Sequence, residues 1–553
     1  MVETLWHKHA LIYCVSVGGF LDANGDGIGD FEGLSRRIDY IAGLGATAVW
    51  LMPFMPSPRQ DHGYDVTDYY AVDPRYGTLG DFVEFTHGCK SRGLRVLIDL
   101  VVNHTSDQHP WFKAARSDPE SPYRDWYVWS DRKPKDAHKG MVFPGIQDAT
   151  WDYDEKAKAW YFHRFFKFQP DLNYGNPHVR EEVRRIMGFW IELGVSGFRL
   201  DAVPFVIAKG EGRTRDPELE FALLRDFREF AQWRKGDFVM LAEANVPPEE
   251  SIRYFGDDAD RLHMMFNFPV NRTHFYALAT GDPAPLKQAL EETRGRPDTA
   301  QWAHFLRNHD ELDLSNLTEE QMEATFAAFA PDEDMRIFGR GIRRRLAPML
   351  GGDRRRIELA NSVLMSLPGT PVIRYGDEIG MGEDLSLEGR GSVRTAMQWD
   401  NAPNAGFTAK PDPDCPIVSE GPYGYAQVNV ADQRRDPESL LNWTERMIRL
   451  RQETPEIGYG EFTIVEAPDD ILALRYDWRK ASVLVIHNFS DAPREIALGT
   501  DCTGGERRTL VDLLDGDHNR PDAKGRHTIV LEPYGYRWYR VGGVDEALKR
   551  REA

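Results

Sequence analysis

The chain has 553 residues, of which 41% are hydrophobic and 28% charged, and these proportions exclude a largely disordered protein. Acidic residues outnumber basic ones by 88 to 68, and the net charge of −20 argues against nucleic acid and membrane as partners. No apolar run is long enough to span a bilayer and the four cysteines are too few for a disulfide framework, so we predict a cytoplasmic protein.

Short apolar runs that favour strands alternate with stretches of helical periodicity along most of the chain. Eight runs are predicted to be parallel strands: residues 10–17, 46–52, 94–102, 197–203, 238–242, 262–268, 301–306 and 371–375. The predicted helices include residues 31–44, 79–92, 179–193 and 217–233. This alternation predicts the α/β class and a (β/α)8 TIM barrel.

The alternation is interrupted after the third predicted strand. Residues 105–170 are rich in Trp, Tyr, Pro and charge, and they stand where a βα loop belongs. A loop of that length predicts an inserted subdomain on the face that carries the site in barrel enzymes. Its aromatic cluster is expected to be the small core of the insertion, with a pocket wall as the alternative: Phe162, His163, Phe165 and Phe166.

The pattern changes to a period of two beyond residue 461. The runs 471–478, 481–489 and 527–541 predict a C-terminal antiparallel β-sandwich. We therefore divide the chain into four ranges: the first part of the barrel (1–104), the inserted subdomain (105–170), the second part of the barrel (171–456) and the sandwich (457–553).

Two charged residues lie close together on one predicted barrel strand. Arg199 and Asp201 are two positions apart in residues 197–203, so both side chains point to the same face. An adjacent guanidinium favours the ionised carboxylate, which is what a nucleophile requires. A structural ion pair in the barrel core explains this pair equally well when it is taken alone.

Two further acids follow predicted strands. Glu243 comes directly after residues 238–242, where apolar neighbours favour the protonated carboxyl of a general acid, and Asp310 follows residues 301–306. Two carboxyls about 5 Å apart on either side of a glycosidic bond form a retaining glycosidase site. A third carboxylate would stabilise the positive charge of the transition state.

Four short strings resemble the signature regions of the α-amylase superfamily, glycoside hydrolase family 13. They are Val-Val-Asn-His at 101–104, Gly-Phe-Arg-Leu-Asp at 197–201, Ala-Glu-Ala-Asn at 242–245 and Asn-His-Asp at 308–310. The resemblance implies that Asp201 is the nucleophile, Glu243 the acid/base and Asp310 the transition-state stabiliser. It also implies a set of sugar-binding residues: Asp61, Tyr64, His104, Arg199, His309 and Arg394.

The string Gln-Pro-Asp-Leu-Asn at 169–173 resembles the marker of the branch that contains oligo-1,6-glucosidases, α-glucosidases and trehalose synthases. Ala202 follows the nucleophile where members specific for 1,6 linkages usually have Val, which implies α-1,4 substrates such as maltose. Strings at 103–112, 340–348 and 375–382 are most similar to trehalose synthases, also called maltose α-D-glucosyltransferases. The chain departs from them in residues 16–20 (Ser-Val-Gly-Gly-Phe in place of His-Val-Arg-Ser-Phe), at Arg374 (Tyr) and at Ala396 (Pro).

The resemblance implies an enzyme that interconverts maltose and trehalose by intramolecular transglucosylation through a covalent glucosyl-Asp intermediate, with some hydrolysis. The expected partners are small saccharides (maltose, trehalose and glucose); no organic cofactor is expected, and homo-oligomerisation stays open. Three alternatives remain: an α-glucosidase that hydrolyses α-1,4 linkages, a transglucosylase that makes another disaccharide, and a non-catalytic binding subunit.

Residues 22–30 read Asp-Ala-Asn-Gly-Asp-Gly-Ile-Gly-Asp and place oxygen-bearing side chains at alternate positions around glycines. This pattern matches the first part of an EF-hand-like calcium loop, although the twelfth position is glycine. Taken by itself, the pattern is explained equally well by a solvated acidic turn. The resemblance implies a structural Ca²⁺ bound by the loop through Asp22, Asn24, Asp26, Asp30 and the Ile28 carbonyl. A second family site would need a Glu at position 208, where this chain has Ala, so none is expected.

Overall fold

The structure is a computed structural model and describes residues 3–135, 137–143, 145–207 and 217–542. Position 208, which bears on a second calcium site, lies outside the described residues. The strands in chain order are β1 (Ile12–Val15), β2 (Ala48–Leu51), β3 (Arg95–Leu100), β4 (Trp129–Ser130), β5 (Trp151–Asp154), β6 (Ala159–Phe162), β7 (Gly197–Leu200), β8 (Val239–Ala242), β9 (Met264–Phe266), β10 (Gln301–Phe305), β11 (Leu312–Asp313), β12 (Arg336–Ile337), β13 (Gly341–Ile342), β14 (Thr370–Arg374), β15 (Glu461–Ile464), β16 (Ile471–Trp478), β17 (Ala481–Asn488), β18 (Arg494–Leu498), β19 (Leu510–Asp512), β20 (His518–Asn519), β21 (His527–Leu531) and β22 (Tyr536–Val541).

The α-helices in chain order are α1 (Phe31–Arg36), α2 (Ile38–Leu44), α3 (Leu79–Ser91), α4 (Pro110–Ser117), α5 (Pro177–Glu192), α6 (Val203–Ile207), α7 (Pro217–Arg234), α8 (Pro248–Phe255), α9 (Phe268–Thr280), α10 (Ala284–Glu292), α11 (Glu319–Phe329), α12 (Leu346–Met349), α13 (Arg354–Ser366), α14 (Val430–Arg435), α15 (Leu440–Gln452) and α16 (Glu456–Tyr459). The prediction of one helix over residues 31–44 was wrong, because Arg37 (φ −110°) separates α1 from α2. Among the described residues, no helix is both long and apolar enough to cross a membrane.

Eight parallel strands close into a barrel in the order β1-β14-β10-β9-β8-β7-β3-β2. Each of them lies where a strand was predicted, which confirms the (β/α)8 barrel. Successive side chains alternate between two buried layers: Ile12 and Trp50 belong to the cluster inside the barrel, whereas Tyr13 and Val49 pack in the outer layer with the helices. Burial on both faces explains why these strands read as continuous apolar runs.

The N-terminal segment covers one end of this barrel. His7 Nε2 donates to the Thr299 carbonyl over 2.9 Å, and Gln301 Nε2 donates to the Lys8 carbonyl over 3.0 Å. The Thr370 hydroxyl also donates to the carbonyl of His7. These bonds reach the first residues of β10 and β14, so the segment closes the end of the barrel at which the strands begin.

The insertion contains α4 and the antiparallel sheet β4-β6-β5, and it begins and ends beside the end of β3. Its two ends pair with each other, because Thr105 N donates to the Pro170 carbonyl (3.1 Å) and Leu172 N to the Asn103 carbonyl (3.0 Å). The insertion therefore stands at the end of the barrel where the strands finish, which is where catalytic groups are placed in this fold.

Two antiparallel sheets form the C-terminal region: β15-β16-β17-β22-β19-β20 and β18-β21. Their apolar faces share one core, in which Ile471 and Leu484 of the first sheet pack with Ile496 and Ile529 of the second. The period-two run over residues 527–541 contains two strands: β21 and β22 belong to different sheets, and Tyr534 (φ +57°) turns the chain between them.

Candidate active site

The three predicted catalytic acids meet at the end of the barrel where the strands finish. Asp201 follows β7, Glu243 follows β8, and Asp310 lies five residues beyond β10. All three line one cavity of about 480 Å³, together with Asp61, Tyr64, His104, Ala202, Phe165, Arg340 and Arg390 among others. The predicted residues Arg199, His309 and Arg394 lie behind this lining and contact it.

Arg199 binds three carboxyl groups at once and is 1% exposed. Its Nη1 atom lies 2.6 Å from Asp201 Oδ1 and 2.5 Å from Asp99 Oδ1, and its Nη2 atom lies 2.7 Å from Glu243 Oε2. Trp50 Nε1 fixes Asp99 from the other side with a 2.9 Å hydrogen bond. The predicted nucleophile and the predicted acid/base are thus attached to one fixed guanidinium.

The environment separates the acidities of Asp201 and Glu243. Burial raises the pKa of Asp201 to about 6, with the guanidinium of Arg199 opposing the shift. Burial, again opposed by Arg199 and reinforced by the negative charges of Asp201 and Asp310, raises the pKa of Glu243 to about 8. At neutral pH the first carboxyl is therefore ionised and the second protonated, as a nucleophile and a general acid need to be.

Asp310 lies among positive charges. Its Oδ1 atom is 2.8 Å from Arg394 Nη2 and 3.0 Å from Arg390 Nη1, and its Oδ2 atom is 3.2 Å from His309 Nε2. Burial alone would raise the pKa of Asp310, but Arg390, His309 and Arg394 together hold it well below its usual range. The carboxylate is therefore permanently negative, which suits the stabilisation of a cationic transition state.

Tyr64 links two other predicted sugar-binding residues, His104 and His309. The rings of Tyr64 and His309 stack with centroids 5.5 Å apart, and the Tyr64 hydroxyl lies 2.6 Å from His309 Nε2. His104 Nε2 donates to the Tyr64 carbonyl over 3.0 Å. Gln169 Nε2 donates to Asp61 Oδ2 over 2.9 Å, and burial raises the pKa of Asp61 to about 6.

The backbone turns sharply after the predicted nucleophile. Ala202 has φ +50°, a left-handed conformation that is uncommon for a residue with a Cβ atom. Its N–H points toward Glu243 Oε2 at 3.4 Å, and both Asp201 and Ala202 line the cavity. Strained backbone of this kind is concentrated at functional sites, where the surrounding structure enforces it.

The insertion and the segment after Asp310 meet over the cavity. Arg340 Nη2 donates to the Val142 carbonyl over 3.0 Å, and the rings of Phe143 and Phe338 lie 4.9 Å apart. The guanidinium of Arg390 lies 5.1 Å from the centroid of the Phe143 ring. These contacts join two segments distant in sequence into a roof over the carboxyl groups.

A family model described as the alpha amylase catalytic domain matches residues 12–330 and 341–460, and a sucrose hydrolase-like C-terminal domain model matches residues 481–540. The chain belongs to the α-amylase family. A trehalose synthase of Thermus thermophilus is 44% identical over 556 residues, which cover 99% of this chain but 56% of that protein, so this chain spans little more than half of its length. The trehalose synthase/amylase TreS of Mycolicibacterium smegmatis is 42% identical, with 98% of this chain and 94% of that protein covered.

Solved structures of family members superimpose on nearly the whole chain. An α-amylase from H. orenii is 28% identical with a TM-score of 0.78, over 97% of this chain and 99% of that one. A mutant of MutB in complex with the substrate sucrose is 27% identical with a TM-score of 0.77, over the same shares of the two chains.

Three cavity features of this α-amylase family chain were missed or misjudged in the sequence. Phe165 was expected in the core of the insertion, which was wrong: it lines the cavity, and its ring lies 5.3 Å from that of His104. Asp99 and Arg390 belong to no string singled out above, although both contact predicted site residues. The signal for Asp99 was a single acid inside an apolar strand; nothing in the sequence around Arg390 distinguished it from other surface arginines.

The departures from trehalose synthases fit together in space. A Cβ atom on Gly18 would lie 2.9 Å from the Tyr76 ring, and one on Gly19 would lie 2.9 Å from the Tyr375 hydroxyl, so a larger residue at either position would displace a tyrosine side chain. Arg374 donates from Nη1 to the Asn308 carbonyl over 2.8 Å, and its Nη2 donates to the Val393 carbonyl. It thus joins the residues that precede His309 and Arg394.

The predicted calcium loop is compact, and its side-chain oxygens accept hydrogen bonds from the loop's own backbone. Asp22 accepts from Gly25 N (2.7 Å) and Gly27 N (2.8 Å), and Asp30 Oδ2 accepts from Ala23 N (3.1 Å). The atoms of the loop that could bind a metal ion are all oxygens, as Ca²⁺ requires. However, within the described ranges no three Asp, Glu, His or Cys side chains are grouped closely enough to hold a metal ion. Calcium binding therefore stays a prediction.

Proposed function

We propose that this chain interconverts maltose and trehalose by intramolecular transfer of a glucosyl group. The observation that carries the proposal is a roofed cavity in which one guanidinium holds an ionised Asp201 beside a protonated Glu243. The names of relatives that cover most of the chain support this pair of sugars. Structural neighbours in complex with glucose, sucrose and isomaltulose support a saccharide in the cavity.

In the first step Asp201 attacks the anomeric carbon of the non-reducing glucose while Glu243 gives its proton to the glycosidic oxygen. The C–O bond to the second glucose breaks, and a glucosyl ester forms on Asp201. Asp201 and Glu243 share Arg199 and hydrogen-bond to each other, which fits the short carboxyl separation of a retaining enzyme. Asp310 stabilises the positive charge that develops on the sugar ring.

In the second step the freed glucose turns within the cavity and offers its own anomeric hydroxyl to the ester. Glu243, now ionised, takes the proton of that hydroxyl, and the new bond releases Asp201. Water competes as the acceptor, so the product depends on how well the roof excludes it. The contacts of Arg340 with Val142 and of Phe143 with Phe338 are the barrier that retains glucose.

The test is to incubate the protein with unlabelled maltose and ¹³C-labelled free glucose and to follow the products by NMR. Intramolecular transfer predicts trehalose without label, because the trapped glucose does not exchange with the solution. Labelled trehalose would show release and rebinding, and glucose alone would make the protein an α-glucosidase. The Asp201→Asn variant, which should form none of these products, serves as the control for contaminating enzymes.

We also propose a structural Ca²⁺ in the loop of residues 22–30, which would fix the segment that follows β1. Asp22, Asn24, Asp26, Asp30 and the Ile28 carbonyl would bind it. Because binding to the folded state alone stabilises a protein, chelation should lower the melting temperature by about 5 °C, and Asp26→Asn should abolish this response. An unchanged melting temperature on chelation of the wild-type protein would contradict the calcium site without affecting the proposed reaction.

A further inference from the structure

A second cavity, of about 250 Å³, lies outside the barrel wall beside β10. It is formed where the N-terminal segment, the end of α10 and the chain entering β15 come together. Its lining shares no residue with that of the catalytic cavity: Lys8, Asn267, Leu290, Thr293, Arg294, Arg296, Asp298, Trp302, His304, Pro368, Tyr459, Gly460, Glu461 and Phe462. We refer to it as the junction cavity, because the barrel and the C-terminal sheet meet there.

Two cations of the junction cavity have no carboxylate in contact. Lys8 is 5% exposed, and its ammonium group donates to the backbone carbonyl of Asp298. Arg296 makes no side-chain hydrogen bond and no ion pair with any described residue. Arg294, in contrast, is paired with a carboxylate, because it donates two hydrogen bonds of 2.6 and 2.8 Å to Glu291.

A neutral donor accompanies the two cations. The His304 side chain is 2% exposed. Its ring approaches the backbone of Pro368, but neither ring nitrogen makes a well-formed hydrogen bond within the described part of the chain. Burial lowers the pKa of His304 to about 3, so the ring is neutral and carries one N–H. The ring packs closely over Gly369, since a Cβ atom there would lie 2.8 Å from its Nε2 atom.

The positive charges of Lys8 and Arg296 destabilise the folded state unless a negative charge neutralises them. Burial lowers the pKa of Lys8 to about 8, with the charge of Arg296 adding to the shift, and burial lowers the pKa of Arg296 to about 10. The acidic side chains of the lining, Asp298 and Glu461, are exposed to solvent. The charge of Asp298 raises the pKa of both cations, but burial outweighs it, and neither acid lies within ion-pair distance of Lys8 or Arg296.

Buried charges and buried donors normally have their hydrogen-bonding capacity filled. Here Lys8 has one backbone carbonyl, the partly buried Arg296 has no side-chain hydrogen bond to a described residue, and the His304 ring approaches only the backbone of Pro368. The group therefore retains donors that an anion can accept from.

We propose that the junction cavity binds a phosphoryl group, as inorganic phosphate or as the phosphate of a hexose phosphate. Phosphoryl oxygens accept several charge-assisted hydrogen bonds at once, which matches a cavity whose lining includes Lys8, Arg296 and His304. The cavity has room for roughly eight water molecules, more than one phosphate ion fills. Trp302 and Phe462 supply an apolar wall on which a sugar ring can pack.

Binding at this place fastens three parts of the chain to one another. Lys8 belongs to the N-terminal segment, His304 to β10, and Phe462 to the first strand of the C-terminal sheet. The ligand should therefore raise the melting temperature of the whole chain. Because the anion favours protonated Lys8, binding at pH 8 should also take up protons, whereas binding at pH 6 should not.

The test is isothermal titration calorimetry of the full chain in phosphate-free buffer with inorganic phosphate, glucose 6-phosphate and glucose. Wild-type protein should bind the two phosphates and not glucose, and Arg296→Gln and Lys8→Met should each weaken binding at least about tenfold. Arg185→Gln, which makes the same charge change on the surface of α5, should stay within about twofold of wild type. Tighter binding of glucose 6-phosphate assigns the site to a hexose phosphate, and equal binding assigns it to free phosphate.

Two results would overturn the proposal. The first is no heat and no rise in melting temperature with either phosphate up to about 10 mM. The second is binding that Arg296→Gln and Lys8→Met leave unchanged, both with native circular dichroism, because the anion would then sit elsewhere. None of these measurements depends on turnover, so they can fail while the proposed reaction holds, or succeed while it fails.

Discussion

Two cavities adjoin the same barrel strand, and their charges are arranged in opposite ways. Beyond the end of β10, Asp310 is in contact with Arg390 and Arg394, at 3.0 and 2.8 Å. Beside β10, Lys8 and Arg296 form no ion pair with a described residue, and the nearby carboxylate of Asp298 is exposed to solvent. The first cavity has its cations paired with acids of the same chain, whereas the cations of the second form no ion pair among the described residues.

The comparison shows that burial alone does not determine what a charged pocket does. In the catalytic cavity, burial and fixed partners together set Asp201 and Glu243 to different protonation states at neutral pH. In the junction cavity, burial and the charge of Arg296 lower the pKa of Lys8 to about 8, and no ion pair offsets them. One arrangement is suited to proton transfer, and the other is suited to binding.

The largest expected effect comes from the nucleophile. Asp201→Asn keeps the size of the side chain but removes its negative charge, so the glucosyl ester cannot form. We expect maltose conversion to fall by about 10⁴-fold or more, measured by NMR of the products. Asp39→Asn, on an exposed surface, is the matched control and should retain full activity; wild-type rates in Asp201→Asn would exclude our assignment.

Arg390→Gln tests the pairing in the catalytic cavity. It removes one of the cations that keep Asp310 ionised and a contact with the Phe143 ring in the roof. We expect kcat/KM to fall by about 10²-fold, or about 2.7 kcal/mol, with a larger share of glucose among the products. Arg435→Gln, at an exposed side chain, should change neither quantity. An unaltered ratio of glucose to trehalose in Arg390→Gln would show that Arg390 does not contribute to the roof.

The pH profile of kcat/KM is the next test. Activity requires ionised Asp201 and protonated Glu243, so it should fall about tenfold per pH unit below about 6 and again above about 8. The charge of Asp99 raises the pKa of Asp201, so Asp99→Asn should move the acid limb to lower pH. A profile that stays flat between pH 5 and 9 would rule out this assignment of roles.

The smallest effect concerns stability. Burial lowers the pKa of His274, His304 and His487 to about 3, whereas unfolded histidine titrates near 6.5. Their contribution is complete above pH 6.5 and is lost as the pH falls toward 3, by up to about 1.4 kcal/mol per pH unit for each ring. His274→Leu should therefore flatten the decline in the free energy of unfolding between pH 6.5 and 5, measured by denaturant titration without phosphate. A parallel decline in wild type and variant would show that His274 is not buried as a neutral group.

Much of the fold was predictable because both faces of the barrel strands are buried, so each strand is an uninterrupted apolar run. The break between β21 and β22 was missed because residues 527–541 were taken as one run, although Pro533 and Gly535 flank Tyr534 and indicate a turn there. The carboxyls and their arginine were predictable because they follow strands that end at one face. Arg390 was not, because its partners Asp310 and Phe143 are brought to it by two separate loops, and that closure leaves no pattern in the local sequence.

The N-terminal segment has a consequence for how the chain acquires its structure during synthesis. The hydroxyl of Thr370 that binds the His7 carbonyl lies 363 residues later, and β14, which closes the barrel against β1, begins at that same residue. At ribosomal speeds of 5 to 20 residues per second, this interval lasts about 20 to 70 s. During that time one edge of β1 lacks the strand that pairs with it in the folded barrel. The growing chain is therefore most prone to aggregation just before β14 emerges from the ribosome.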